Sequence, residues 1–569
     1  MRLQISKTKN AASFYVVEST YDKNGRRSNK VVEKLGTLAE LQKVHDDPVA
    51  WAKSYVAELT EKKKDEKLKV RIDYNPSNRI DKEITSLYNG GYLFIQKLYC
   101  KYGLNKICDS ISKKYNFEYD LDSILSRLIY GRILSPSSKL STMEYSKTLL
   151  EKPNFELHQI YRALEVLAKE TNYIQSQLYL NSKAVSARND SILYYDCTNF
   201  FFEIEEESGL RQYGVSKEHR PNPIVEMGMF IDGDGLPLAF CINPGNTNEQ
   251  QTLRPLEKQI IKDFGKSKFV ICTDAGLSSN ANRKFNSIQD RAFITVQSLK
   301  KMPGYQKEWA LANDGWRLAN SNKMYSLEYI KSHRELFEND TFYKENLYND
   351  NGLYQRYIVT FSLKYMDYLR NVRERQIQRA QKAVDTGMNK KHSQNDPYRF
   401  IEQLYFDENG EIADHHKTFL NTDKIQAESA YDGFYCVTTS LQDPAEAILK
   451  VNARRWEIEE SFRIMKSEFR ARPVYLSRDD RIKAHFLTCF LSLFLFRSLE
   501  KAVNSRYTAP ELLKTLKGMQ FQETSHNSYI PVYTRNDITD LIHDSFGIYT
   551  DYEIITMPEM RKIFKSTKN

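Results

Sequence analysis

Four apolar stretches between residues 192 and 299 constrain the fold more than any other feature of this chain. They are ILYYDCTNFFFEI (192–204), IVEMGMFIDGDGLPLAFCINP (224–244), KFVICTDAG (268–276) and AFITVQSL (292–299). The second reads as a hairpin, two apolar strands around Asp-Gly turns. Runs that are apolar on both faces belong to central strands covered on two sides. A helix is expected over 277–287, after the third stretch. About 130 mixed residues then intervene, with the strand QRYIVTFSL and a basic helix from about 364 to 385. A last strand, GFYCVTTSL (433–441), leads into the helical VNARRWEIEESFRIMKSEF (451–469). Strands, a long interruption, strand and helix predict an α/β domain with an insertion.

Around this domain the texture differs. Two β-rich runs flank DKNGRR within residues 1–36, a hairpin signal, and a charged helix follows to about 70. From about 80 to 185 the pattern is helical, with LDSILSRLIYGRIL, SPSSKLSTMEYSK and ELHQIYRALEVLAKE. A helical module with short turns fits a helix-turn-helix DNA reader and equally a plain bundle. A chain of 569 residues exceeds what one core supports. The expected division is 1–70, β-hairpin and helix; 71–188, helical DNA-binding module; 189–300 and 431–503, the two parts of the catalytic core; 301–430, an insertion domain; and 504–569, a C-terminal region for protein or DNA contacts.

The net charge of +9 hints at a polyanionic partner. Residues 364–391 hold eight Lys or Arg against three acids. The seven cysteines are scattered singly with no C-x-x-C pair, which argues against a structural zinc site or a disulfide framework. The N-terminus MRLQISKTKN lacks an apolar signal core. The longest apolar run, AHFLTCFLSLFLF, has 13 residues, too few to span a bilayer, and reads as a buried helix. No membrane role and a reducing, cytoplasmic setting are expected.

Two aspartates stand where packing would exclude them. Asp196 interrupts the apolar LYYDCTN, and Asp274 ends the buried strand FVICTD. A buried carboxylate is costly unless it is paired or bound to a cation. Asp196 could instead pair with an arginine, and Asp274 could cap the following helix. Glu459 extends the first possibility. Two strand-borne aspartates and one helix-borne glutamate make a three-carboxylate cluster. Hard oxygen ligands suit Mg²⁺ or Mn²⁺, and two such ions can serve phosphodiester chemistry.

The last helix contributes more than its glutamate. At 100° per residue, Arg455, Glu459 and Lys466 fall in a wedge about 40° wide, with Arg463 about 40° beyond. Ile458, Phe462, Met465 and Phe469 form an adjacent apolar stripe, and Glu457 and Glu460 are expected to face away, toward solvent or another module. An ordinary amphipathic helix with i,i+4 charge pairs would look the same.

With these residues, the sequence resembles the DDE transposases of bacterial insertion sequences, in the group with a Y-(2)-R-(3)-E-(6)-K signature. Here the spacing is Asn452, Arg455, Glu459, Lys466, with Asn in place of the Tyr. YYDCTNF, ICTDAGLSS and RPVYLSRDDRIKAHFLTCFLSLFL also look like the family, as does GVSKEHRPNPIVEMGMFIDGDGLPLAF with GNTNEQQT after it. The resemblance covers about 190–300 and 430–503. It implies an RNase H-like mixed sheet flanked by helices, with a long insertion before the last catalytic helix. It implies Asp196, Asp274 and Glu459 as catalytic metal ligands for two Mg²⁺ (or Mn²⁺) ions. Arg455, Arg463, Lys466, Trp456 and Asn452 are implied as DNA contacts. The expected partners are double-stranded DNA, as terminal inverted repeats and target, and a second copy of the chain in the DNA complex. An RNase H-like nuclease that cuts without joining, or a transposase-derived DNA-binding protein without activity, would share many of these features.

Overall fold

The structure is a computed structural model that describes all residues except 9–10, 22–26, 69–76, 78, 80–81, 83–84, 320, 387–395, 407–414, 525–527 and 569. The chain divides into two compact units. The first comprises Met1–Ser86, Gln522–Pro531 and Tyr552–Met557, and the second the remaining residues.

In the first unit, β1 (Arg2–Lys7), β2 (Ala12–Tyr21) and β3 (Arg27–Thr37) form an antiparallel sheet in that order. The hairpin expected from sequence is therefore two strands of a three-stranded sheet. β1 joins because its alternating side chains pair with β2 from Arg2 opposite Val17 to Lys7 opposite Ala12. The charged helix follows as α1 (Pro48–Leu68).

The second unit is built on a ten-stranded mixed sheet. Six helices span residues 92–185, among them α2 (Leu121–Leu134) and α3 (Lys139–Lys147). The sheet begins with β4 (Ile192–Phe201), β5 (Ile224–Asp232) and β6 (Pro237–Pro244), continues through α4 (Glu249–Asp263), and adds β7 (Phe269–Thr273) and β8 (Arg291–Val296). β4, β5 and β6 pair antiparallel, and β4, β7 and β8 pair parallel. This gives the order β6-β5-β4-β7-β8. A sheet of this order and polarity, flanked by helices, is RNase H-like. β4 is central and buried on both faces, as its apolar run dictates.

Among the described residues of 301–430, four strands join this same sheet. β9 (Trp316–Arg317), β10 (Met324–Tyr325), β11 (Thr341–Asp350) and β12 (Leu353–Ser362) extend the same sheet through β13 (Phe434–Thr439), which pairs with β8. The reason lies in β12, whose residues are mostly buried and need a strand on each side. A second apolar cluster around Trp316, Phe361 and Phe434 packs beneath this extension. Separately, Ile401–Phe406 and His415–Leu420 pair as a small two-stranded antiparallel sheet.

After β13 come α5 (Ala445–Ala453), α6 (Trp456–Arg463) and α7 (Asp479–Ala502). α7 is the one helix among the described residues long and apolar enough to cross a membrane, but 89% of its apolar stretch is buried. A helix apolar all round needs neighbours all round. The helices of 92–185 supply several, as where Tyr102 meets Phe494 edge-on at 4.9 Å, and the sheet supplies others, as where Phe240 meets Phe490 at 4.9 Å. The helical segment thus shares its core with the sheet.

Candidate active site

Strand register brings Asp196 and Asp274 together. β4 and β7 run parallel with Tyr194 beside Cys272. Two residues beyond that pair stand Asp196, on the same face of β4 as Tyr194, and Asp274, the first residue past the end of β7, with the two strands about 4.8 Å apart. On that face Tyr194 donates its hydroxyl to the Val451 carbonyl of α5 at 2.9 Å, and Phe200 packs on Phe486 of α7 at 4.8 Å. The opposite face carries Leu193, Tyr195 and Cys197 into a core cluster with Leu253, Leu256 and Ile260 of α4.

The two aspartates are held differently. Asp196 Oδ1 accepts from the Cys197 amide at 2.8 Å. Burial pushes the Asp196 carboxyl up to about 6; Lys217 pulls against this and Asp274 adds to it. Asp274 Oδ1 accepts from the Leu277 amide at 3.0 Å, closing the turn after β7.

Three charged groups beside this pair were not singled out from sequence. Lys217 Nζ donates to the Cys197 carbonyl at 2.6 Å and pairs with Glu249 at 2.7 Å. Glu226, opposite Asn199 in the sheet, is 3% exposed, and its Oε1 lacks a hydrogen-bond partner among the described residues. Burial, together with Glu249, pushes the Glu226 carboxyl up to about 8. The signal that marks Asp196, an acid inside an apolar strand, is equally present at Glu226 in IVEMGMF.

VNARRWEIEESFRIMKSEF is not one straight helix. α5 ends at Ala453, Arg454 and Arg455 form a turn, and α6 starts afresh at Trp456. It then widens into a π-helical turn over Ile464–Glu468. Ile458, Phe462, Met465 and Phe469 are buried, as the apolar stripe requires. Glu459 is exposed and pairs with Arg455 at 3.4 Å. Arg455 in turn favours the charged form of Asp196. The guanidinium thus relates the helix-borne acid to the strand-borne pair.

The carboxylate group is open. Among the described residues, the one trio with Asp, Glu, His or Cys ligand atoms all within 4.8 Å of one another is Asp540, His543 and Asp551. There Arg535 already pairs with both aspartates, at 2.6 and 3.3 Å.

The other residues read from sequence separate. Lys466 sits over the Phe200 ring at 5.5 Å and faces Glu218 at 3.7 Å; burial, and then Lys217, pulls its ammonium down to about 8. Arg463 turns away to Glu460, with Nε to Oε2 at 2.7 Å, and to Glu468 at 3.9 Å. Trp456 is 58% exposed. Asn452 is buried and donates to the Tyr435 hydroxyl at 3.0 Å, so a β13 phenol lies beside the position where the resemblance expects a tyrosine.

Glu457 requires a correction. It does not face solvent; it is 8% exposed, accepts from Arg454 at 2.9 and 2.7 Å, and lies 3.8 Å from Arg497 of α7. The break at Arg454–Arg455 resets the helix, so angles counted through it do not apply. Glu460 is half-buried against Arg463.

An RNase H-like sheet with aspartates on β4 and at the end of the neighbouring β7, and a glutamate-bearing helix after them, has the architecture of a DDE domain. The sequence agrees: the family model described as transposase DDE domain matches residues 202–495, and the chain belongs to that family. The matched span starts past Asp196 and includes Asp274 and Glu459. No curated protein matches the chain. A cryo-EM structure of the piggyBac transposase synaptic complex with hairpin DNA is similar over 86% of this chain and 87% of its own, at 9% identity and a TM-score of 0.36. The Mos1 transposase paired-end complex with the left transposon end is similar over 41% of this chain and 63% of its own, at 11% identity and a TM-score of 0.13.

Proposed function

We propose that this transposase belongs to an insertion sequence, binds the terminal inverted repeats of its element as a homodimer, cleaves phosphodiesters at the ends and joins the 3′-hydroxyls to target DNA. The observation that carries the reading is the parallel pairing of β4 with β7, which brings Asp274, just past the end of β7, close enough for its charge to act on Asp196. Two acids so placed repel each other when ionised, and the raised Asp196 carboxyl reflects burial together with that repulsion. A divalent cation would relieve both.

The donor set fits Mg²⁺ or Mn²⁺, being carboxylate oxygen without thiolate or imidazole. Asp196 and Asp274 would hold the metal, and Glu459 would complete the set once released from Arg455. When bound, the metal would supply activation of the attacking hydroxyl and stabilisation of the leaving oxygen. The remaining roles fall to the protein. Arg455, freed from Glu459, is positioned to neutralise a scissile phosphate. Lys466, with its ammonium drawn down by burial, is a second phosphate contact on the same face. Exposed Trp456 offers a stacking surface at the start of α6.

The test is a Mg²⁺-dependent cleavage and strand-transfer assay on a duplex carrying the element end, beside a gel shift. Asp274→Asn and Glu459→Gln should lose cleavage and joining by orders of magnitude and keep end binding. Glu460→Gln should stay within a few-fold of the wild type. Cleavage without joining would reduce the protein to a nuclease. Wild-type levels of cleavage in Asp274→Asn would refute the site.

A further inference from the structure

A cavity of about 500 Å³ lies between the end of α2, the start of α3 and the turn after the π-helical segment. Its wall carries Arg132, Lys139, Arg470 and Arg472 and no acidic residue. Arg132 is fixed there, donating to the Phe469 and Arg470 carbonyls at 3.0 and 3.3 Å. Lys139 is the unusual member. It is 6% exposed, yet its ammonium makes no hydrogen bond or ion pair with any described residue. A buried ammonium without a counter-charge is costly, and burial, then Arg132, draws it down to about 7. An incoming anion would restore its charge.

Two further features point the same way. Lys139 opens the nine-residue α3, whose N-terminus also faces the cavity through Ser137 and Ser138, and a helix start favours anions. Arg470 is a non-glycine residue at φ 46°, a strained conformation that persists where surrounding structure enforces it. Of the four cations, Arg472 has an acid, Glu218, as partner. Glu218 also faces Lys466. Val474, in the same wall, bridges to Phe202 just beyond β4, the strand of Asp196. Val474 therefore stands about 20 Å from Asp196 along that strand, at roughly 3.3 Å per residue, while Arg472 is linked to Lys466 through Glu218.

We propose that this cavity is an anion site that seats a phosphate of the DNA strand, outside the carboxylate cluster. The proposal rests on the transposase reading for the source of the phosphate, but its chemistry is independent of that reading. Tyr475, 70% exposed at the rim, would meet the attached nucleoside.

The test uses the full chain in EDTA, so that carboxylate-bound metal contributes nothing. Inorganic phosphate, a deoxynucleoside 5′-monophosphate and a short single-stranded oligonucleotide are titrated against the wild type and Lys139→Met, with thermal shift and fluorescence anisotropy as readouts. Lys139→Met removes the charge, keeps the volume and should melt no lower than the wild type. The expected result is a thermal shift with phosphate in the wild type that Lys139→Met lacks, and at least ten-fold weaker oligonucleotide binding by the variant. Equal oligonucleotide affinity in both proteins overturns the proposal, including when inorganic phosphate still discriminates between them, because the site then serves free phosphate. Loss of ligand response in Lys139→Met from a wild type that cuts no DNA supports the anion site while sinking the transposition reading.

Discussion

The sharpest difference between neighbouring acids concerns Glu457 and Glu459, two residues apart on α6. Glu457→Gln removes a charge that Arg454 grips at 2.9 and 2.7 Å and that Arg497 faces at 3.8 Å. Hydrogen bonds to charged partners contribute about 1.5–3 kcal/mol each when buried. Arg454 is 44% exposed and Arg497 keeps Glu500 at 2.9 Å, so the loss belongs at the low end, about 1–2 kcal/mol. Glu459 is 56% exposed with one long pair to Arg455, and Glu459→Gln should change stability by under about 0.5 kcal/mol. Thermal and urea unfolding of both variants, beside the cleavage assay, gives the check. Glu457→Gln should melt a few degrees lower yet cut DNA below its melting range. Glu459→Gln should melt like the wild type and not cut. A Glu457→Gln protein as stable as the wild type, paired with a destabilised Glu459→Gln, would show that α6 is placed in the wrong rotation.

Three further outcomes follow. The folded Asp196 carboxyl holds its proton up to about 6, whereas the unfolded one releases it near 3.9, so its burial costs stability as pH rises through that window. The melting-temperature gain from Mg²⁺ should therefore be present at pH 8, fade below about pH 6 and be lost in Asp196→Asn; a pH-independent gain would exclude this carboxylate as a ligand. Gly235 sits at φ +79°, with the Glu457 carboxylate close to where a Cβ would stand, so Gly235→Ala should cost about 1–2 kcal/mol for the backbone alone, and a melt equal to the wild type would contradict the left-handed conformation at Gly235. Binding of the element end should weaken steeply with salt, at a log–log slope near −0.9 per phosphate neutralised, and a flat salt dependence would remove the basic surface, including the helix Leu363–Asp385, from the interface.

The sequence by itself determined the parts whose signal is local. The apolar run around Asp196 could only be a central strand, because such a run has no face fit for water. Asp196 and Asp274 were conspicuous for the same reason, acids inside apolar strands that a packed core would exclude. The stripe Ile458, Phe462, Met465 and Phe469 was legible at helical spacing and is buried. Only the tertiary structure decided what depends on register and on breaks in regularity. The pairing of β4 with β7, which puts the two aspartates side by side, is a contact between segments more than seventy residues apart, and no local pattern encodes it. The turn at Arg454–Arg455 restarts the helix, with Glu457 turned into the protein, and the π-helical turn at Ile464–Glu468 is a further departure from a 3.6-residue period. Residues 301–430 read as a separate insertion because chain distance separates them from the core, yet the backbone edge of β13 draws β9 to β12 into the main sheet. Nothing local in SPSSKL marks Lys139, and only the folding of 470–476 over it enclosed its charge.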